Sequence, residues 1–242
     1  MTIDWIFQPL AALNANAKEQ GLERQGQLTK PPGSLGLLET MVVRLCAMQG
    51  VDKPNVDHAQ VVVFAGDHGI AAEGVSAFPQ VVTGEMVKNF SRGGAAICAL
   101  ARQNNAQFEV VNVGTVVDLP NMNYVLDSTI MPGTSNFAQQ PAMTLDQLSQ
   151  AMTAGMAAAD RAAANQVTLF IGGEMGIANT SSATALAAWA TGQSVARLVG
   201  PGTGLDLQGV SHKAQVIESA LAKHATAMIS PIEALRHVGG LE

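Results

Sequence analysis

Three short runs in this 242-residue chain, at 59–65, 108–113 and 167–171, are apolar at nearly every position and rich in Val, Ile and Phe. A strand with one wet face alternates apolar and polar residues. These runs do not, so they read as strands buried on both faces, the pattern of a parallel sheet with helices on each side. Each gives way to polar, glycine-containing sequence: Gly66-Asp67-His68-Gly69, Gly114-Thr115 and Gly172-Gly173-Glu174-Met175-Gly176. In open α/β sheets, ligand-binding loops lie at such strand ends.

Helices fit between the runs. Thr144-Leu145-Asp146-Gln147 matches a capping box, and Leu148, Met152, Met156 and Ala159 recur at helical spacing, which predicts a helix over about 145–164. The segment 83–102 reads as helix with a break at Gly93-Gly94. Ser211 is the expected cap of a helix carrying Val216, Ile217, Ala220, Leu221 and Met228, which must end before Pro231. Alternating strands and helices predict a Rossmann-like parallel sheet with right-handed crossovers. Before residue 59, the apolar positions Leu35, Leu38, Met41, Val42, Leu45, Cys46 and Met48 indicate helix, and no strand is read. The expected organisation is therefore a helical segment, 1–58, and an α/β nucleotide-binding domain, 59–242. The span 120–141 reads as loop.

Composition bears on partners. A formal net charge of -6 supplies little to neutralise a polyanion, so nucleic acid is not the expected partner. Unbroken apolar runs stay below the ~18 residues that would cross a bilayer, and residues 1–10 lack the basic start and apolar stretch of a secretory signal. No membrane association and a cytoplasmic location are expected. Cys46 and Cys98 stand far apart without a CxxC pattern, so they read as small buried residues rather than a disulfide or a thiolate metal site.

Two glycine-rich segments carry the chemistry. The first, 172–182, leaves a strand, turns through glycines and opens an Ala-rich helix with Asn179, Thr180, Ser181 and Ser182 at its mouth, an arrangement suited to an anion. Helix capping explains the amide and hydroxyls but not Glu174. The second is Gly200-Pro201-Gly202-Thr203-Gly204, with Lys213 following; its glycines permit close backbone approach to a phosphate, although ordinary turns share the pattern and a lone lysine is usually solvated. Asp67 and His68 are expected to hydrogen-bond loops at the end of the first strand, and no metal is assigned. In 28–36, Lys30-Pro31-Pro32-Gly33 ends one element and Ser34 is expected to cap the next helix.

Together, 28–38, 64–80, Gly133-Thr134, 141–144, 173–180 and 200–205 resemble, in order, segments of the nicotinate-nucleotide:dimethylbenzimidazole phosphoribosyltransferase family. The resemblance covers nearly the whole chain. It implies a homodimer, a Rossmann-like domain with a small helical domain built from both chain ends, and a reaction that needs no metal or other cofactor. That reaction is transfer of phosphoribose from nicotinate mononucleotide to 5,6-dimethylbenzimidazole in cobalamin nucleotide-loop synthesis. It places Phe78, Pro79 and Met86 in a pocket for the flat base, with core packing as the competing role for Met86. Glu174, the expected catalytic group, and Gly176, Asn179 and Thr180 fall on the nucleotide-side loop; Gly202, Thr203, Gly204 and Lys213 fall on a second phosphate-side loop. Pro201 stands where the family usually has Arg, and Ala178 where it usually has Gly. Family members run on for roughly another hundred residues, a domain-scale length, and the resemblance places the general-base glutamate there. A chain incomplete in the second domain is expected, and a non-catalytic binder of nicotinate mononucleotide or benzimidazoles is the alternative to a transferase.

Overall fold

The computed structural model describes residues 4–242, which form two compact units, Asp4–His58 and Ala59–Glu242. In the first, a 3-10 turn at Asp4–Phe7 precedes helices α1 (Ala15–Gln27) and α2 (Leu37–Gln49). Asn14 caps α1 by accepting from the Ala17 N–H. The two helices pack closely at Gly21, where a Cβ would lie 2.8 Å from the buried Cys46 Sγ. Ser34 does not cap α2. Bonds from the Ser34 N–H to Pro31 and from the Gly36 N–H to Gly33 keep the chain in tight turns, so Gly36, at φ +54°, takes the cap position.

In the second unit, β1 (Ala59–Gly66) leads through a 3-10 turn at Gly69–Glu73 to α3 (Val81–Ser91) and α4 (Ala96–Gln103). The break between these helices falls at Gly93-Gly94, where Gly93 adopts φ +73°. Then come β2 (Gln107–Gly114), β3 (Val125–Asp127), α5 (Leu145–Ala164), β4 (Leu169–Met175), α6 (Asn179–Thr191), α7 (Val195–Leu198), α8 (Leu207–His224) and α9 (Pro231–Val238). The Thr144–Gln147 capping box is formed in both directions, so α5 starts where its sequence requires.

All four strands are parallel, in the order β3-β2-β1-β4. Side chains alternate across β1. Val62 points into a core with Val111, Val113, Leu148, Ala185, Ile217 and Val238, while Val61, Val63 and Ala65 meet Val87, Phe90, Cys98 and Ala101 on the opposite face. The strand order turns at β1, whose neighbours are β2 on one side and β4 on the other. The crevice beyond the carboxyl ends of β1 and β4 is therefore the topological switch point, where α/β sheets bind ligands.

Four expectations are corrected. Residues 125–127 of the supposed loop form β3, recruited by pairing of Val125 with Val110. The third expected strand begins later and runs through both glycines to Met175, because Gly172, Gly173 and Glu174 pair in register with Val62, Val63 and Phe64. As the outer strand it is not buried on both faces, and Phe170 and Ile171 are each 40% exposed. Finally, α8 starts four residues before Ser211, because the Asp206 side chain accepts from the Gly209 N–H and caps it; the helix ends at His224, before Pro231 as expected but short of Met228, and Pro231 opens α9.

Candidate active site

At the switch point, β1 ends in Gly66-Asp67-His68 and β4 in Glu174-Met175-Gly176. The two ends touch: a Cβ on Gly176 would strike the Gly66 carbonyl and lie 2.9 Å from His68 Nε2. Only glycine allows this approach. Gly176→Ala is expected to destabilise the fold by about 1–3 kcal/mol, as overpacking does, and to displace His68; a denaturant midpoint measures it.

After Gly176, Ile177 donates its N–H to Thr83 Oγ1 at 3.0 Å, tying this turn to α3. Ala178 adopts φ +72°, a left-handed conformation that costs a non-glycine residue about 1–2 kcal/mol. Its methyl lies in the core, and α6 begins at once with Asn179.

The second glycine-rich segment closes over this helix start. Lys213, on α8, is fully buried rather than solvated, and its Nζ donates to Thr180 Oγ1 at 2.6 Å and to the Gly200 carbonyl at 3.4 Å. Gly202, at φ +54°, passes so close that a Cβ would lie 2.8 Å from Thr180 Oγ1 and 3.2 Å from Lys213 Nζ. Burial pushes the Lys213 pKa below its ordinary value of 10.5. A buried cation without an anionic hydrogen-bond partner, beside a helix N-terminus, is a site for an anion. Thr203 extends the same loop toward the start of α3: its Oγ1 lies 3.0 Å from Ser76 Oγ and accepts from the Ala77 N–H at 3.1 Å.

The structure therefore joins Thr180, Gly202, Thr203 and Lys213, and brings Phe78 to the same loop through Ser76 and Ala77. Phe78 and Pro79 are exposed, whereas Met86 packs against the core formed by Val61, Val87 and Phe90. Asn179 turns its amide not to Lys213 but to Glu242, donating from Nδ2 to Oε1 at 2.7 Å. Glu174 is part of β4 itself rather than of a loop, and it is exposed at the sheet edge. Partial loss of hydration, then the negative charge of Glu242, raises its pKa; His68 and the Gly176 N–H oppose this.

Beneath these groups lies a buried ionisable cluster that the sequence reading does not assemble. His68 is closed to solvent, with Nε2 2.5 Å from Glu242 Oε1 and Nδ1 3.2 Å from Ser182 Oγ. Asp67 is also buried; its Oδ2 accepts from the Val116 N–H at 2.9 Å. Burial raises the Asp67 pKa against the hydrogen bonds from Val116 and Thr83. Burial would likewise raise that of Glu242, but the charge of His68 and the bonds from His68 and Asn179 outweigh it and hold the group below its ordinary range. The only sequence signal for Glu242 is a carboxylate following two glycines, Gly239-Gly240. Among the described residues, no three His, Cys, Asp or Glu side chains are grouped to hold a metal ion, and no helix is long and apolar enough to cross a membrane.

An all-parallel sheet whose switch point is lined by a helix N-terminus, a threonine hydroxyl, a buried lysine and a carboxylate defines an α/β protein of the class that receives ligands at its strand ends. Residues 10–242 match the family model described as phosphoribosyltransferase. A protein of Pseudomonas fluorescens (strain SBW25) named nicotinate-nucleotide–dimethylbenzimidazole phosphoribosyltransferase is 54% identical over all of this chain and 69% of its own length. One of the same name from Xanthomonas euvesicatoria pv. vesicatoria (strain 85-10) is 51% identical with the same coverage. A crystal structure of the enzyme of that name from Thermus thermophilus superposes with a TM-score of 0.86 at 44% identity, covering 95% of this chain and 68% of that one. The chain belongs to this phosphoribosyltransferase family, a family of pentosyl transferases.

Proposed function

We propose that the protein transfers phosphoribose from nicotinate mononucleotide to a ring nitrogen of 5,6-dimethylbenzimidazole, releasing nicotinate and forming α-ribazole phosphate. The observation that carries this reading is the Lys213–Thr180 contact, which draws the two glycine-rich segments together at the mouth of α6, with Glu174 at the neighbouring strand end. The nucleotide phosphate takes the helix N-terminus, the Thr180 and Thr203 hydroxyls and the Lys213 ammonium. Asn179 and Glu174 lie on the ribose side, and exposed Phe78 and Pro79 offer the flat base an apolar surface. Met86 packs against the core cluster of Val61, Val87 and Phe90.

In the reaction the bond from C1′ to the pyridinium nitrogen breaks, and its electron pair neutralises the leaving nicotinate ring. A benzimidazole nitrogen attacks C1′ from the opposite face, inverting it, and the ring N–H proton is lost. Positive charge passes from one ring through the ribose to the other, so holding both rings in line and placing a carboxylate near the path are the main tasks. A Glu174 carboxyl with raised proton affinity is suited to share the departing proton alongside the glutamate that the resemblance assigns as general base.

The names of the relatives support these substrates. The exposed Leu37, Leu38 and Met41 of α2 support a homodimer, and the helical unit 4–58 is assigned to a small domain in a cytoplasmic biosynthetic enzyme. Protein incubated with both substrates should release nicotinate and ribazole phosphate in equal amounts, and light scattering should give the mass of two chains. Binding of nicotinate mononucleotide without release of nicotinate would replace the transferase with a ligand binder.

A further inference from the structure

Glu242 links the end of β1 to the first turn of α6 through its side chain. Its side chain is 1% exposed. Oε1 takes the His68 Nε2 donor from the end of β1 and the Asn179 amide from the first turn of α6, while Ser182 on that helix meets the other nitrogen of His68. A carboxylate accepts only, so Asn179 must present its NH2 group to Glu242, which leaves the amide oxygen as its free acceptor. An acceptor suits a ribose hydroxyl and repels a phosphate. Glu242 Oε2 has no hydrogen-bond partner and lies against the backbones of Gly66 and Gly240.

Resting on the transfer reaction proposed above, we propose that Glu242 and His68 are positioning residues. The buried pair fixes the Asn179 amide and the first turn of α6 for the ribose, and sets the charge environment of Glu174. The charged groups that bear on Glu174 are Glu242 after α9 and His68 after β1; Asp67 faces that pair, and Lys213 from α8 faces Thr180. The influences of Glu242 and His68 on Glu174 have opposite sign. Glu242 raises its proton affinity by repulsion and His68 lowers it by attraction.

The test is an NMR titration of the Glu174 carboxyl in the unliganded wild type, E242Q and H68Q, with calorimetric titration of nicotinate mononucleotide into each. The Glu174 midpoint should fall in E242Q and rise in H68Q, and the nucleotide Kd of E242Q should increase about tenfold, equivalent to ~1.4 kcal/mol. The conservative E242D, which keeps the charge, should restore the Glu174 midpoint. An unchanged nucleotide Kd in E242Q, or an unmoved Glu174 midpoint in both variants, would overturn the proposal. If E242Q does not fold, the direction of the H68Q shift decides. Because the Glu174 titration needs no turnover, wild-type protein that releases no nicotinate would defeat the transfer reading while this coupling is still read directly.

Discussion

Glu174→Gln should lower the rate of phosphoribosyl transfer by about 10²–10⁴-fold, the span typical of a group that moves or shares a proton in the transition state. Nicotinate mononucleotide should still bind to within a factor of about three, or ~0.65 kcal/mol. The amide keeps the size of the side chain and its place in β4, so the sheet and the Lys213–Thr180 contact are undisturbed. What is lost is a carboxyl whose proton affinity is raised first by partial burial and then by Glu242. With that pKa above the ordinary value, the charged form is gained only as pH rises past it, so the acidic limb of the wild-type rate profile should lie above the usual carboxylate range and vanish in the variant. Equal losses in rate and binding would assign Glu174 to ground-state binding instead.

Lys213→Met should have the opposite signature. The charged hydrogen bond to a phosphate is worth about 1.5–3 kcal/mol, so the nucleotide Kd should rise by roughly 10- to 150-fold. The fold itself should hold or gain stability, because a thioether of similar length replaces a buried cation that only neutral oxygens of Thr180 and Gly200 offset in the unliganded protein. Since burial depresses the Lys213 pKa in the folded state, its charge opposes folding below that pKa, and the penalty relaxes as pH rises through it. A bound phosphate reverses the preference by stabilising the ammonium. Nucleotide affinity should therefore fall as pH climbs past the depressed pKa, and Lys213→Met should abolish that fall. Binding isotherms across pH, with thermal denaturation of both proteins, separate the two effects. A variant that loses stability and keeps its affinity would remove Lys213 from the phosphate site.

The residues most legible in the sequence are those whose structure is decided locally. Thr144 and Gln147 specify the start of α5, Gly93-Gly94 the break between α3 and α4, and the β-branched residues of 59–65 the central strand. The features that stay hidden are decided by partners distant in sequence. Three residues at 125–127 become a strand only because β2 offers them an edge. Gly172 and Gly173, weak strand formers, are held extended by pairing with Val62 and Val63, which moves Glu174 from a loop into β4. Lys213 reads as solvated because nothing in its neighbours reveals that α8 packs it beneath Thr180. His68 and Glu242 stand 174 positions apart, so no spacing rule pairs them. Their contact exists because the sheet order places the end of β1 beside α6 and the segment after α9.

The central claim is that one nucleotide is gripped by both glycine-rich segments at once. A crystal structure with nicotinate mononucleotide decides it most directly. The phosphate should lie at the N-terminus of α6, bonded to Lys213 Nζ and the backbone of Gly202–Gly204, with its ribose toward Asn179 and Glu174. A phosphate bound away from α6, with Lys213 still donating only to Thr180 and Gly200, would contradict it.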